Sequence, residues 1–134
     1  MQSHRTHDAN GATTNRTSVM LTHLVLMTPR PDLTPADRGA LIDAFERAIR
    51  EIASVRDVRV GRRVVHGAGY EASAPDIAEY VAVIDFDDLA GLQAYLRHPA
   101  HDELGARFGQ SLRSAVVFDF EVGGVEDLRA GRFF

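Results

Sequence analysis

The sequence predicts an α+β fold of ferredoxin-like type, with elements in the order β-α-β-β-α-α-β and a four-stranded antiparallel sheet carrying helices on one face. Three observations predict it. Apolar alternation marks strands at 20–28, 57–66, 77–87 and 115–122. Helical spacing places one long helix after the first strand and a broken pair before the last. The first and third strands are apolar on both faces, so the face without helices needs another cover. A second copy of the chain supplies it, because a twofold dimer uses the same patch on both subunits. The expected partner is therefore a homodimer mate on the open sheet face.

Residues 1–19 are polar, lack periodicity and are expected to form a disordered tail. The first strand follows. Leu21, His23, Val25 and Met27 share one face, and Thr22, Leu24 and Leu26 share the other. Pro29 and Pro31 end it. The helix over 34–53 starts at a Thr34 cap, with Pro35 at its first position and Asp37 three residues after the cap. Leu41, Ile42, Phe45, Ala48, Ile49 and Ile52 form its apolar stripe. The second strand alternates Val58, Val60 and Val64 with Arg59, Gly61 and Arg63, and a loop over 67–76 leads to the third.

Asp88 caps a short helix over 89–97, and His98-Pro99 breaks it, because proline disfavours helix at the residue before it. Pro99 opens the next helix, whose stripe is His101, Leu104, Gly105, Phe108 and Leu112. In the last strand Val116, Phe118, Phe120 and Val122 oppose Ala115, Val117, Asp119 and Glu121. Residues 123–134 are an extension that begins Gly123-Gly124 and ends Phe133-Phe134. Two terminal aromatics should leave water, by docking on the barrel mouth or across the dimer.

A chain of 134 residues fits one domain. Such a domain buries roughly two-thirds of the surface its unfolded chain exposes, so it can form a core without staples. The composition contains no Cys and no Lys, and all 15 basic residues are Arg. That excludes disulfides, thiolate nucleophiles, Cys-ligated metals and Schiff-base lysines. Proton transfer near neutrality falls to six His, with carboxylates and Tyr in support. The net charge of −4 argues against nucleic acid as a partner. No apolar run approaches the roughly 18–20 residues of a membrane span. The first 19 residues lack a signal-peptide core, so a cytoplasmic location is expected.

His101 shares an apolar stripe and should face the sheet. His23 is the one ionisable residue on its strand face. If that face meets the helices, both imidazoles approach one apolar cavity, and Tyr95 can turn its hydroxyl toward them. Two imidazoles and a phenol suit general acid–base work, while a packed, hydrogen-bonded core histidine is the bland alternative. His98 and His101 also suggest a metal, but Pro99 separates them and no third ligand is evident. His98 reads as a cap of the helix break. No metal and no cofactor are expected.

Several segments together resemble the stress-responsive A/B barrel domain (Dabb) family. They are the first strand with His23, Asp85-Phe86, the run from Leu92 to His101 with its Tyr-x-x-His-Pro-x-His pattern, and Val117-Phe118-Asp119-Phe120. The resemblance covers about 20–122 and implies a dimeric α+β barrel. The best-understood enzymatic member is a plant polyketide cyclase that closes a linear polyketide by intramolecular aldol condensation without a cofactor. By that resemblance His101 is the acid–base residue, Tyr95 orients it or holds the substrate carbonyl, and His23 lines the pocket for a small apolar carbonyl ligand. A further pocket histidine of that cyclase falls at Tyr80. Many members have no assigned reaction, so a non-catalytic stress-related or structural oligomer is the alternative. A cofactor-independent monooxygenase on a similar barrel is a weaker one.

Overall fold

The computed structural model describes residues 5–7, 13–15 and 19–134. Within the segment read as a disordered tail, β1 (Arg5–His7) and β2 (Thr13–Asn15) pair as a short antiparallel ribbon, and residues 1–4, 8–12 and 16–18 lie outside the described residues. The main sheet holds β3 (Met20–Pro29), β4 (Asp57–Arg62), β5 (Tyr80–Phe86) and β6 (Leu112–Val122) in the order β4-β5-β3-β6, every pair antiparallel. Three helices, α1 (Pro35–Glu51), α2 (Leu89–Arg97) and α3 (Pro99–Ser111), lie on one face. Among the described residues no helix is long and apolar enough to cross a membrane.

The caps read from the sequence form as hydrogen bonds. The Asp37 N–H donates to Thr34 Oγ1 at 3.1 Å, and the Gly91 N–H donates to Asp88 Oδ1 at 2.9 Å. Several boundaries shift where strand partners run out. The second strand stops at Arg62, opposite Tyr80, so Val64 and Val65 stand in water and residues 77–79 precede β5. The last strand begins earlier than expected, because Leu112 leaves the helical stripe to pair with Pro29 after a register shift at Thr28. The stripe of α1 is also displaced: Ala44 and Ala48 are buried, whereas Ile42 is exposed. The extension is partly helical, with α4 at Val125–Arg129, and the loop over 67–76 holds a single 3-10 turn, Gly69–Ser73.

The core lies between helices and sheet. It contains Ala44, Ala48 and Ile52 from α1 and its cap, Ile84 and Phe86 from β5, Leu92 and Tyr95 from α2, and Ala100 and Leu104 from α3. Burying an aromatic or aliphatic side chain of this size contributes about 1.5–3 kcal/mol, so these residues anchor the helix layer.

Candidate acid–base site

His23 lies on the helix-covered face of β3, in register with Ile84 of β5 and Asp119 of β6. It is 5% exposed. Directly opposed antiparallel residues have Cβ atoms about 4.5–5.5 Å apart, which brings the Asp119 carboxylate to the imidazole. His23 Nδ1 and Asp119 Oδ1 are 2.6 Å apart. A carboxylate accepts and does not donate, so Nδ1 presents a proton to Asp119, which fixes the orientation of the ring.

Tyr95 is buried on α2 between three rings. Its centroid is 5.2 Å from Phe86, 5.7 Å from His23 and 4.8 Å from His101. The last contact depends on the helix break. On an unbroken α-helix, residues six apart lie about 9 Å apart along the axis and on different sides. His98 interrupts that geometry with an extended backbone (φ −73, ψ 140) and caps both helices. Its own Nδ1 accepts the Ala100 N–H at 3.0 Å, which restarts the chain as α3. The cap predicted for His98 is thus its observed role, and that ring nitrogen is committed. Among the described residues no group of three or more His, Cys, Asp or Glu could hold a metal ion.

Burial shapes the electrostatics. It pushes the Tyr95 phenol up to about 12, so the hydroxyl keeps its proton at neutral pH. Burial also lowers the His101 pKa, and the nearby His23 ring lowers it further. Asp102 and a bond to the Leu96 carbonyl oppose that shift in part. His101 is therefore neutral at pH 7 and able to take a proton, beside a phenol able to give a hydrogen bond.

The structure brings together His23, Tyr95 and His101. Tyr80 stands apart, paired with Met27, about 13 Å along the strand from His23 at the usual rise per residue. Asp119 is the functional residue that sequence reasoning overlooked. Its signal was present, since it falls on the Ala115, Val117, Glu121 face of the last strand.

The opposite face carries no helix. It presents Leu24 and Leu26 from β3, Val81 and Val83 from β5, and Val116, Phe118, Phe120 and Val122 from β6. Phe118 and Phe120 are each 47% exposed, with rings 6.1 Å apart. At its β4 edge sit two paired carboxylates, Asp57 and Asp85, with Arg59 on the same face 3.7 Å from Asp85, which also accepts from Thr22 Oγ1 at 2.7 Å.

A four-stranded antiparallel sheet, helices on one side and an apolar face on the other define a ferredoxin-like α+β domain. Over residues 21–122 the chain belongs to the stress responsive A/B barrel domain (Dabb) family. No curated protein matches it in sequence. Solved structures match in fold. A Dabb family protein with a ferredoxin-like fold from Mesorhizobium loti is 16% identical with a TM-score of 0.60, the match covering 79% of this chain and 99% of that one. A dimeric ferredoxin-like protein of unknown function from Thermobifida fusca is 22% identical with a TM-score of 0.60, covering 78% and 92%. Hydroxynitrile lyase from Passiflora edulis is 12% identical with a TM-score of 0.65, covering 79% and 95%.

Proposed function

We propose that the protein is a cytoplasmic homodimeric enzyme that moves protons on a small apolar carbonyl compound, cyclase-like, without a metal or organic cofactor. The catalytic unit spans residues 20–122. Its dimer forms through the helix-free face, and the ligand binds on the helix-covered face. One observation carries the reading. A carboxylate-held imidazole, a buried phenol and a second, neutral imidazole share one apolar cluster.

In this reaction His101 removes a proton from the carbon beside a carbonyl. Tyr95 donates a hydrogen bond to the carbonyl oxygen as it becomes an enolate. The enolate carbon attacks a second carbonyl of the same substrate, and His101 returns its proton to the new alkoxide. His23, oriented by Asp119, holds the substrate's other oxygen. No external oxidant or reductant is required.

Exchange of α-hydrogens for deuterium in a panel of β-diketones, followed by NMR, tests the proposal. Exchange above the uncatalysed rate is expected, with a loss of about 10²-fold or more in His101→Gln. Absence of exchange, together with equal ligand retention by the native chain and His101→Ala, would leave a structural or binding oligomer as the function.

A further inference from the structure

Helix α3 leads without a loop into β6, from Ser111 to Leu112, so the two elements run back along one another. His101, near the start of α3, meets Tyr95, which meets His23, and His23 is in register with Asp119 of β6. The acid–base cluster thus lies between α3 and β6, well away from their junction. One side of α3 faces α1, where Arg47 Nη1 donates to Glu103 Oε2 at 3.1 Å. Gly105 is two residues past Glu103, about 200° around the helix, and one turn past His101 on nearly the same side. It therefore points away from α1, next to His101 on the way to the junction. On the strand, Val117 holds the matching place between Asp119 and the junction. Val117 belongs to the helix-covered face yet is 46% exposed, so the helix layer leaves it uncovered.

The glycine has no packing reason. Glycine weakens a helix interior relative to alanine, and it is explained where φ is positive or where a neighbour leaves no room for Cβ. Gly105 meets neither condition: its φ is not positive, and a Cβ there would find nothing within 4 Å among the described residues. Gly109, one turn further, has equally open surroundings, and its carbonyl accepts from Arg30 Nη2 at 3.1 Å, which bounds the space. Beside the acid–base cluster there is thus an open groove with an apolar floor and no side chain from the helix above it.

We infer that Gly105 determines the substrate class of the acid–base site: it keeps open a groove between α3 and β6, floored by Val117, that takes an apolar group attached to the reacting carbonyl. The inference rests on the reaction proposed above. A branched side chain at position 105 fills the groove and turns such substrates away, while a small diketone still reaches His101, Tyr95 and His23.

The test is kcat/KM for α-hydrogen exchange with acetylacetone and with benzoylacetone, in which a phenyl group replaces one methyl. The full chain is compared with Gly105→Ala and Gly105→Leu. Both replacements favour helix, so both variants should melt no lower than the native chain by circular dichroism. The native chain is expected to prefer benzoylacetone. Gly105→Leu should lower kcat/KM for benzoylacetone by about tenfold or more and change that for acetylacetone by less than about threefold, with Gly105→Ala between. A lower melting temperature in Gly105→Leu moves the same comparison to Gly105→Ala. Equal losses on the two diketones, or no loss on either, would overturn the inference and leave the proposed reaction intact. Absence of exchange of both by the native chain would overturn the reaction, and equilibrium dialysis of benzoylacetone then tests the groove alone. Binding to the native chain that weakens about tenfold in Gly105→Leu would uphold the groove, and equal binding or none would overturn it.

Discussion

The two faces of the sheet are built from the same strands and from similar apolar residues, yet they have different fates. On one, Ile84 and Phe86 of β5 lie beneath α1, α2 and α3 and are fully buried. On the other, Phe118 and Phe120 of β6 stand half-exposed. The polar residues differ as well. The covered face holds His23 within an aromatic cluster and tied to Asp119. The open face holds Asp85, satisfied by the Thr22 hydroxyl beside it. An apolar strand face thus states that something must cover it, and the chain's connections decide whether the cover is its own helices or another molecule.

The largest expected effect that sharpens this contrast comes from truncating one aromatic on each face. Phe86→Ala should destabilise the folded chain by about 3–5 kcal/mol in urea unfolding. Phe120→Ala, measured at a concentration where the chain is monomeric, should change stability by less than about 1 kcal/mol. Equal losses would mean that the two faces are not different in kind.

A smaller effect separates chemistry from packing within the covered face. Asp119 is 41% exposed in its side chain, so Asp119→Asn should cost less than about 1 kcal/mol of stability. It should nevertheless slow α-hydrogen exchange and change its pH profile, because a neutral amide no longer fixes the Nδ1 proton of His23. Tyr95→Phe is its counterpart: the ring stays packed against Phe86 and the phenol is lost. Variants that fold as well as the native chain and exchange as fast would place both residues in the packing alone.

The smallest effect is on stability against pH. An imidazole in the unfolded chain takes up its proton near pH ~6.5. In the folded chain the His101 pKa lies lower. Between the two values the unfolded state binds more protons, so stability falls as pH drops from the ordinary value through the folded one. The melting temperature should therefore decline over that window in the native chain and decline less in His101→Gln. Activity should share the acid limb, since protonated His101 cannot act as base. Equal slopes in the two chains would remove His101 from the linkage.

Much of the site was legible before any coordinates. Alternation placed His23 on an apolar face, helical spacing placed His101 on another, and the proline after His98 explained how Tyr95 and His101 could meet. Those signals are local. The residues that escaped reading depend on pairings far apart in the chain. Asp119 reaches His23 only because β3 and β6 align residue 23 with residue 119, and a shift of one residue would turn the carboxylate to the open face. The strand limits at Arg62 and Leu112 likewise follow from where partners end.

The sequence by itself determined the element order, the caps at Thr34 and Asp88, the break at His98 and the need to cover two apolar sheet faces. Side-chain period and the backbone limits of proline are properties of short segments, and short segments carry them unaided. Only the tertiary structure decided which carboxylate holds His23, that burial lowers the His101 pKa, and that the last twelve residues fold around Asp127. The first two need groups distant in sequence to exclude water together, and that exclusion exists only once the chain has closed; the third closes through bonds three and five residues apart, which carry no periodicity to read.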